Sequence, residues 1–358
     1  MNQVQHYGFA DAITEGRILK SEFLKQIDVL IDWIPVNQLL ESSYKKGGSG
    51  TGRPAYPALL LFKMALLQTF YGLSDYEVED QINDRLSFSK FIGLSLEHRA
   101  PDHSILSKFR TALTESKAYD ALLNEINRQL EQHQIVVKTG IIIDASITDS
   151  PRCPRGKKMY EVVESKESKA EAKESKTEAK ENELNSIIVQ EVIPPHVDTA
   201  GRFVIKAGKI RFGFKKHTIV TEDEGLILGI ITSPANVNEI SNLEAVLNTV
   251  HLPKGIPCST DKGYKSSKND ALLEEKGFVN QIMLKAKKNN PLTDAQKEFN
   301  KLISKVRYRV ERTFGSIKRW FEGGKARYVG LEKTHAQHLM EAIGYNLYRS
   351  PRILMSKS

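Results

Sequence analysis

Ile135-Val136-Val137-Lys138-Thr139-Gly140-Ile141-Ile142-Ile143-Asp144 is the stretch on which the reading of this chain turns. It is β-branched and nearly continuous, the texture of a strand buried on both faces, and it ends on a carboxylate. Such a strand needs neighbours. Two more are predicted on either side of Thr221-Glu222-Asp223-Glu224-Gly225, over Phe212 to Val220 and Leu226 to Thr232, joined as a hairpin. A helix over 238–250, a short strand Ile256 to Thr260 ending at Asp261, a helix over 267–276 and a strand over 279–284 follow. Helices at about 304–321 and 334–349 close the order, which is that of an α/β domain with a mixed sheet.

The preceding residues read differently. Ala58 to Leu67 is a helix-like apolar segment opened by Pro57, Ser74-Asp75-Tyr76-Glu77 has the capping-box pattern, and Asp102 is placed to cap a helix through Leu106, Phe109 and Leu113. Lys45 to Pro54 is a flexible basic connector. These short helices suit either a helix-turn-helix-like module or a plain helical bundle, and pattern alone favours the bundle. A mostly helical N-terminal domain over 1–130 and an α/β domain over 134–350 are therefore expected.

Composition narrows the function. With 358 residues, 40% of them hydrophobic, the chain is not of the disordered class. Its two cysteines, Cys153 and Cys258, are too far apart in sequence to suggest a disulfide scaffold or a metal-ligand spacing. No apolar run approaches a membrane span and the first residues do not resemble a signal peptide, so a cytoplasmic protein with no membrane partner is expected. The net charge of +8 is unevenly spread: residues 1–140 hold 15 basic and 17 acidic side chains, 141–205 hold 10 and 12, and 206–358 hold 27 and 15. A basic excess confined to the C-terminal part points to a polyanionic partner, most simply nucleic acid. Glu161 to Glu183 stands apart, almost all Glu, Lys, Ser and Ala, with Glu-Ser-Lys recurring at 164, 167 and 174. With almost no apolar face, it reads as a solvated insertion, disordered or transiently helical.

Three acids stand out in the α/β part. Asp144 and Asp261 each end a predicted strand, and Glu311 lies in a helix. The carboxyl ends of strands in open α/β sheets are where sites form. Clustered carboxylates need a compensating cation, and a hard divalent ion such as Mg²⁺ takes carboxylate oxygen while leaving positions for phosphate. Three acids suffice for two such ions in an in-line displacement at phosphorus. Arg307, Glu311 and Lys318 share a helix face, beside the apolar stripe Val306, Val310, Ile317 and Phe321. Nine basic residues between 301 and 328, Arg309, Arg312 and Arg319 among them, make the surroundings phosphate-friendly; each acid taken singly is equally explained as a structural ion-pair partner.

Ile143-Asp144-Ala145-Ser146, Thr260-Asp261-Lys262-Gly263-Tyr264 and Arg307 through Glu311 to Lys318 resemble the DDE transposases of bacterial insertion sequences, most of all the group called insertion-sequence family five. Gly52 to Pro57, Tyr71 to Asp75 and Pro101 to Ser104 are similar to that family's N-terminal domain, and Gly213 to His217, Ala235 to Asn238 and Tyr345 to Arg349 to its other recurrent stretches. The resemblance covers about 50 to 350. It implies a ribonuclease-H-like mixed-sheet catalytic domain in which Asp144, Asp261 and Glu311 bind metal, two Mg²⁺ ions with Mn²⁺ as a substitute. It implies that Arg307 and Lys318 contact DNA phosphate; Lys262, Arg309, Arg312 and Arg319 join them as candidates. The partners implied are double-stranded DNA, as inverted repeats and target, and further copies of the chain in a homodimer or larger synaptic complex, at the bacterial nucleoid. The signature departs at Ser304, where the family has a tyrosine; Tyr308 lies on another helical face.

His196 and His217 read as structural, since phosphoryl chemistry with hard metals prefers oxygen. Asp149 and Asp223 read as turn residues. Lys262 and Tyr264 beside Asp261 suit contact with DNA, or Gly263-Tyr264 simply shapes the turn. Trp320 and Tyr328 suit either packing or stacking on an unpaired base. A transposase is the leading reading, with a non-catalytic DNA-binding derivative or a ribonuclease-H-like nuclease as alternatives.

Overall fold

Capping and burial explain the helices of the front half. Asp32 accepts from the Ile34 amide, Ser74 and Glu77 close a reciprocal capping box, and Asp102 accepts from the Ser104 amide, each satisfying an otherwise orphan helix N–H. The computed structural model describes residues 22–44, 55–95, 97–155, 159–163, 188–192, 194, 196–206, 208–286 and 290–357. The helices are α1 (Glu22–Leu30), α2 (Trp33–Ser43), α3 (Ala58–Tyr71), α4 (Asp75–Asp84), α5 (Leu86–Ile92), α6 (His103–Glu115) and α7 (Ala118–Gln132). Helix α3 is apolar around nearly its whole circumference and is buried from Leu60 to Gln68, as such a helix must be.

The mixed sheet contains β1 (Ile141–Asp149), and a separate two-stranded sheet pairs β2 (Met159–Val163) with β3 (Ile188–Val192). β4 (Arg202–Lys206), β5 (Lys209–Thr221) and β6 (Ile227–Pro234) follow, then α8 (Leu243–Leu247), β7 (Pro257–Thr260), α9 (Ser267–Glu275), β8 (Val279–Ile282), α10 (Asp294–Trp320) and α11 (Leu331–Lys357). The mixed sheet runs β4-β5-β1-β7-β8, with β6 also on β5; β1 is antiparallel to β5 and parallel to β7, and β7 is parallel to β8. The α/β expectation holds.

The first strand lies later than the sequence pattern suggests. Ile135 and Val136 instead close α7, both amides donating to the Leu130 carbonyl, so a helix end takes β-branched residues that would otherwise extend the strand. The strand then continues past Asp144 to Asp149, which corrects Asp144 from strand end to strand interior, and Asp149 from turn to strand. Helix α10 begins ten residues earlier than expected, capped by a Thr293–Gln296 box, because its first turns are polar and lack an apolar stripe. Of the charged segment 161–183, residues 161–163 are the end of β2 and the rest lies outside the described residues.

Helix α11 ties the helices to the sheet. Asn346 donates to Asn127 on α7 at 2.7 Å and accepts from the Ile227 amide at the start of β6 at 2.8 Å. A single apolar core runs from Leu61 and Ile126 through Ile141, Ile142 and Ile143 to Ala342 and Ile343. This core includes Ile141, Ile142 and Ile143, which precede Asp144 on β1.

Candidate active site

The parallel pairing of β1 with β7 ends at Ile143 opposite Thr260, both fully buried. The next residue on each strand is an aspartate. Asp144 and Asp261 therefore leave adjacent strands at the same level, although β1 itself continues along β5. Each is fixed by its own backbone: Asp144 Oδ1 accepts from the Ala145 amide at 2.7 Å, and Asp261 Oδ1 from the Lys262 amide at 2.8 Å, opening the short turn Lys262–Tyr264.

Helix α10 packs across β1 and β7 and delivers Arg307 between the two acids. Its Nη2 donates to Asp144 Oδ2 at 2.7 Å and its Nη1 to Asp261 Oδ1 at 3.4 Å, with 13% of the side chain exposed. Burial works against the guanidinium charge, but Asp144, Asp261 and Glu311 more than offset it and hold its pKa above the ordinary value. Two neighbouring carboxylates thus have the cation that their repulsion requires, and here it is an arginine.

The sequence-derived candidates separate into groups. Asp144, Asp261 and Arg307 meet, and Glu311 stands one turn along α10 from Arg307, exposed. Lys262 is exposed beside Asp261. Lys318 lies further along α10, its stem against Gly324, and its ammonium pKa is lowered by burial and then by Lys216, Arg211 and Lys206. Arg312 is directed elsewhere, donating to the Glu224 carbonyl in the β5–β6 turn. Arg309 lies near Glu222, whose carboxyl burial and Asp223 push upward while Arg309 opposes them. Arg319 sits over the ring of Trp320, and Tyr328 is stacked by Arg110. Ser304 is exposed. His217 is buried against the Ser233 hydroxyl and His196 is exposed, neither with the acids.

Two contributors have little sequence signal. Glu239 carries no motif of its own, following the quoted Ala235 to Asn238. Its carboxylate lies 3.4 Å from Lys215 Nζ and would be 2.8 Å from a Cβ on Gly263, so a side chain there would make the carboxylate shift. Tyr264 is fully buried with an unpartnered hydroxyl, and its pKa is raised well above the usual phenol range by burial and by Asp144 and Glu239. More than a turn-former, it is part of the buried core.

The donor set suits a hard divalent cation: carboxylate oxygens, already bridged by a positive group, beside exposed lysines. Among the described residues the three acids are not gathered as tightly as Glu79, Asp102 and His103, whose ligand atoms lie within 4.8 Å of one another. That second cluster has a structural explanation, because Glu79 accepts both the amide and the ring nitrogen of His103 at the start of α6.

Comparison with known proteins adds independent findings. A family model described as "Transposase domain (DUF772)" matches residues 13–112, and one described as "Transposase DDE domain" matches residues 137–347. The transposase for insertion sequence element IS1106 of Neisseria meningitidis serogroup B is 32% identical over 245 residues, 68% of this chain and 76% of the relative. No solved structure matches the chain.

Proposed function

The chain belongs to the DDE transposases of insertion sequences, and from that premise we propose that Asp144, Asp261 and Glu311 are the carboxylates with which it cuts the ends of its own element and joins them to target DNA. Transposition is what the family does, and its members use divalent metal ions. For this chain the ions are two Mg²⁺, with Mn²⁺ as a substitute, and the DNA is duplex. The observation that carries the reading is the arrival of Asp144 and Asp261 at one level of the parallel β1–β7 pair, bridged by Arg307 one turn from Glu311.

Divalent cations bound by the three carboxylates would lower the pKa of the attacking water or hydroxyl and steady the leaving oxygen. The chain's own groups position the reactants. Asp144 and Asp261 are pre-oriented by their backbone bonds, so little reorganisation is needed when the reacting phosphate arrives. Arg307 offers a planar fork suited to carboxylate and phosphate alike, and Lys262 and Lys318 bind backbone phosphates beside the acids. In cleavage a water oxygen bonds to phosphorus as the bond to the element's 3′ oxygen breaks; the water loses a proton and the 3′ oxygen gains one. In joining, the freed 3′-hydroxyl loses its proton and bonds to a target phosphorus, and the displaced target oxygen gains one.

The helical front half would supply base contacts to the inverted repeats, and pairing of two ends calls for at least a dimer. No helix among the described residues is long and apolar enough to cross a membrane. The cytoplasm, at the nucleoid, is the proposed site of action. The test is end cleavage and strand transfer with Mg²⁺ on DNA carrying the element's own termini. D144N, D261N and E311Q should each abolish both steps while duplex binding persists; retained cleavage in any of them would overturn the triad. Binding without cleavage by the unsubstituted chain would assign it to non-catalytic DNA binding, and cleavage without joining to a nuclease.

A further inference from the structure

Strand β5 is longer than its neighbour. β1 pairs with Gly213 to Thr221 and the Ser150 amide donates to the Phe212 carbonyl at 2.8 Å, while Lys209 to Arg211 run on and pair with β4. The β4–β5 hairpin therefore projects from the sheet beyond the end of β1. Its register is Arg202 opposite Gly213, Val204 opposite Arg211 and Lys206 opposite Lys209, so these six positions share one face. Phe203, Ile205, Ile210 and Phe212 form the other, with Ile205 and Ile210 both more than 70% exposed.

We propose that the basic face of this hairpin is a grip for the phosphate backbone of duplex DNA, continuous with Lys318 and so with the candidate active site. The inference rests on the transposase reading and adds to it a binding element that no motif marks. Four cations, Arg202, Lys206, Lys209 and Arg211, occupy a single face, and among the described residues the acid paired with them is Asp149, on Arg211. Lys206 and Lys209 flank the turn at the tip, exposed.

The connection to the site is covalent and hydrogen-bonded. Asp149 holds Arg211 through both carboxylate oxygens, while its amide donates to the Gly324 carbonyl at 2.9 Å. The stem of Lys318 lies against that glycine, 3.5 Å from where a Cβ would stand. Lys206, Arg211 and Lys216 lie near enough to Lys318 to disfavour its charge, a repulsion that a polyanion would relieve. Like charges gathered with a single carboxylate among the described residues favour a polyanionic partner over a second copy of a chain whose net charge is +8. A two-stranded ribbon also has the cross-section that the major groove admits.

The experiment is equilibrium binding of the full chain to a duplex of arbitrary sequence across a salt series, comparing the unsubstituted protein with K206E/K209E. Both residues are exposed, so the fold should survive, which circular dichroism checks. K254E serves as control, because Lys254 precedes β7 at the opposite end from Asp261. The double variant should bind more weakly, with a log affinity against log salt slope shallower by about 2, one for each lost phosphate contact. K254E should leave the slope unchanged. An unchanged slope in K206E/K209E overturns the hairpin grip. A lost slope accompanied by a drop in assembly size on sedimentation also overturns it, assigning the hairpin to contact between copies through its apolar face. Absence of salt-dependent binding by the unsubstituted protein would overturn the transposase reading itself, a separate failure.

Discussion

Arg307 on α10 donates from Nη2 to Asp144 Oδ2 on β1 at 2.7 Å, across 163 residues of sequence. The same guanidinium reaches Asp261, so one side chain offsets the repulsion between two carboxylates. In the proposed metal site, Arg307 would stand in for the cation.

Removing it should expose that dependence. In R307A the two carboxylates lose their cation, and stability without metal should fall by roughly 1–3 kcal/mol, less than for a fully buried pair because Asp261 retains 31% side-chain exposure. Added Mg²⁺ should then raise the melting temperature of R307A more than that of the unsubstituted chain. Equal shifts in the two proteins would separate the metal site from the Asp144–Asp261 pair.

Gly263 offers a second test. An added Cβ would stand 2.8 Å from Glu239 Oε2, so G263A should displace either Glu239 or the turn that begins at Asp261. A stability loss of about 1 kcal/mol and a larger fractional loss of cleavage are expected. G263A should cost less in an E239A background than in the unsubstituted chain, since the clashing carboxylate is gone. Simple additivity in that cycle, read by denaturant titration, would show that the two residues do not meet.

How much of this was legible in the sequence depends on the range of the interaction involved. The caps at Ser74 and Asp102 and the hairpin around Thr221 to Gly225 are local chemistry, and the structure has them where the pattern suggests. Ile135 and Val136 mislead because their amides complete α7 instead of a strand, a choice made by the preceding helix. Asp144 reads as a strand end because the β-branched apolar run stops there, whereas pairing with β5 carries the strand on to Asp149. Arg307 and Glu311 were visible on one helix face, but no spacing within α10 reveals which of them reaches Asp144. Glu239 was silent for the same reason: its nearest partners, Lys215 and Gly263, are brought to it by the fold.

Two buried histidines predict acid sensitivity. Burial and then Lys215 push the pKa of His217 down to about 3, and burial, then Lys216 and His335, push that of His338 well below its ordinary value. Unfolding restores both to about 6.5, so below that pH the unfolded chain binds protons that the folded chain does not. Stability from these groups is complete above about pH 6.5 and falls as pH drops toward the folded-state values, by up to about 1.4 kcal/mol per pH unit for each. Denaturant midpoints at a series of pH values should fall less steeply in H217Q than in the unsubstituted chain. Parallel slopes would mean that His217 is protonated alike in both states.

The remaining prediction concerns the ion pair behind the site. Lys216 Nζ on β5 lies 2.8 Å from Glu341 Oε2 on α11, with side-chain exposures of 1% and 4%. Gln337 donates to the other carboxylate oxygen, so the acid is bonded on both sides. Removing one partner strands a buried charge, and K216M or E341Q should each cost about 3–5 kcal/mol. Replacing both with apolar residues of similar volume, K216M/E341L, removes the charges together and should be less destabilising than the sum of the single variants. Full additivity in chemical denaturation would mean that the pair is not coupled. The pair also lies close to Lys318, whose ammonium Lys216 disfavours. K216M should therefore raise the Lys318 pKa, readable by NMR titration of labelled lysines, and an unmoved Lys318 would show that the two ammonium groups do not sense one another.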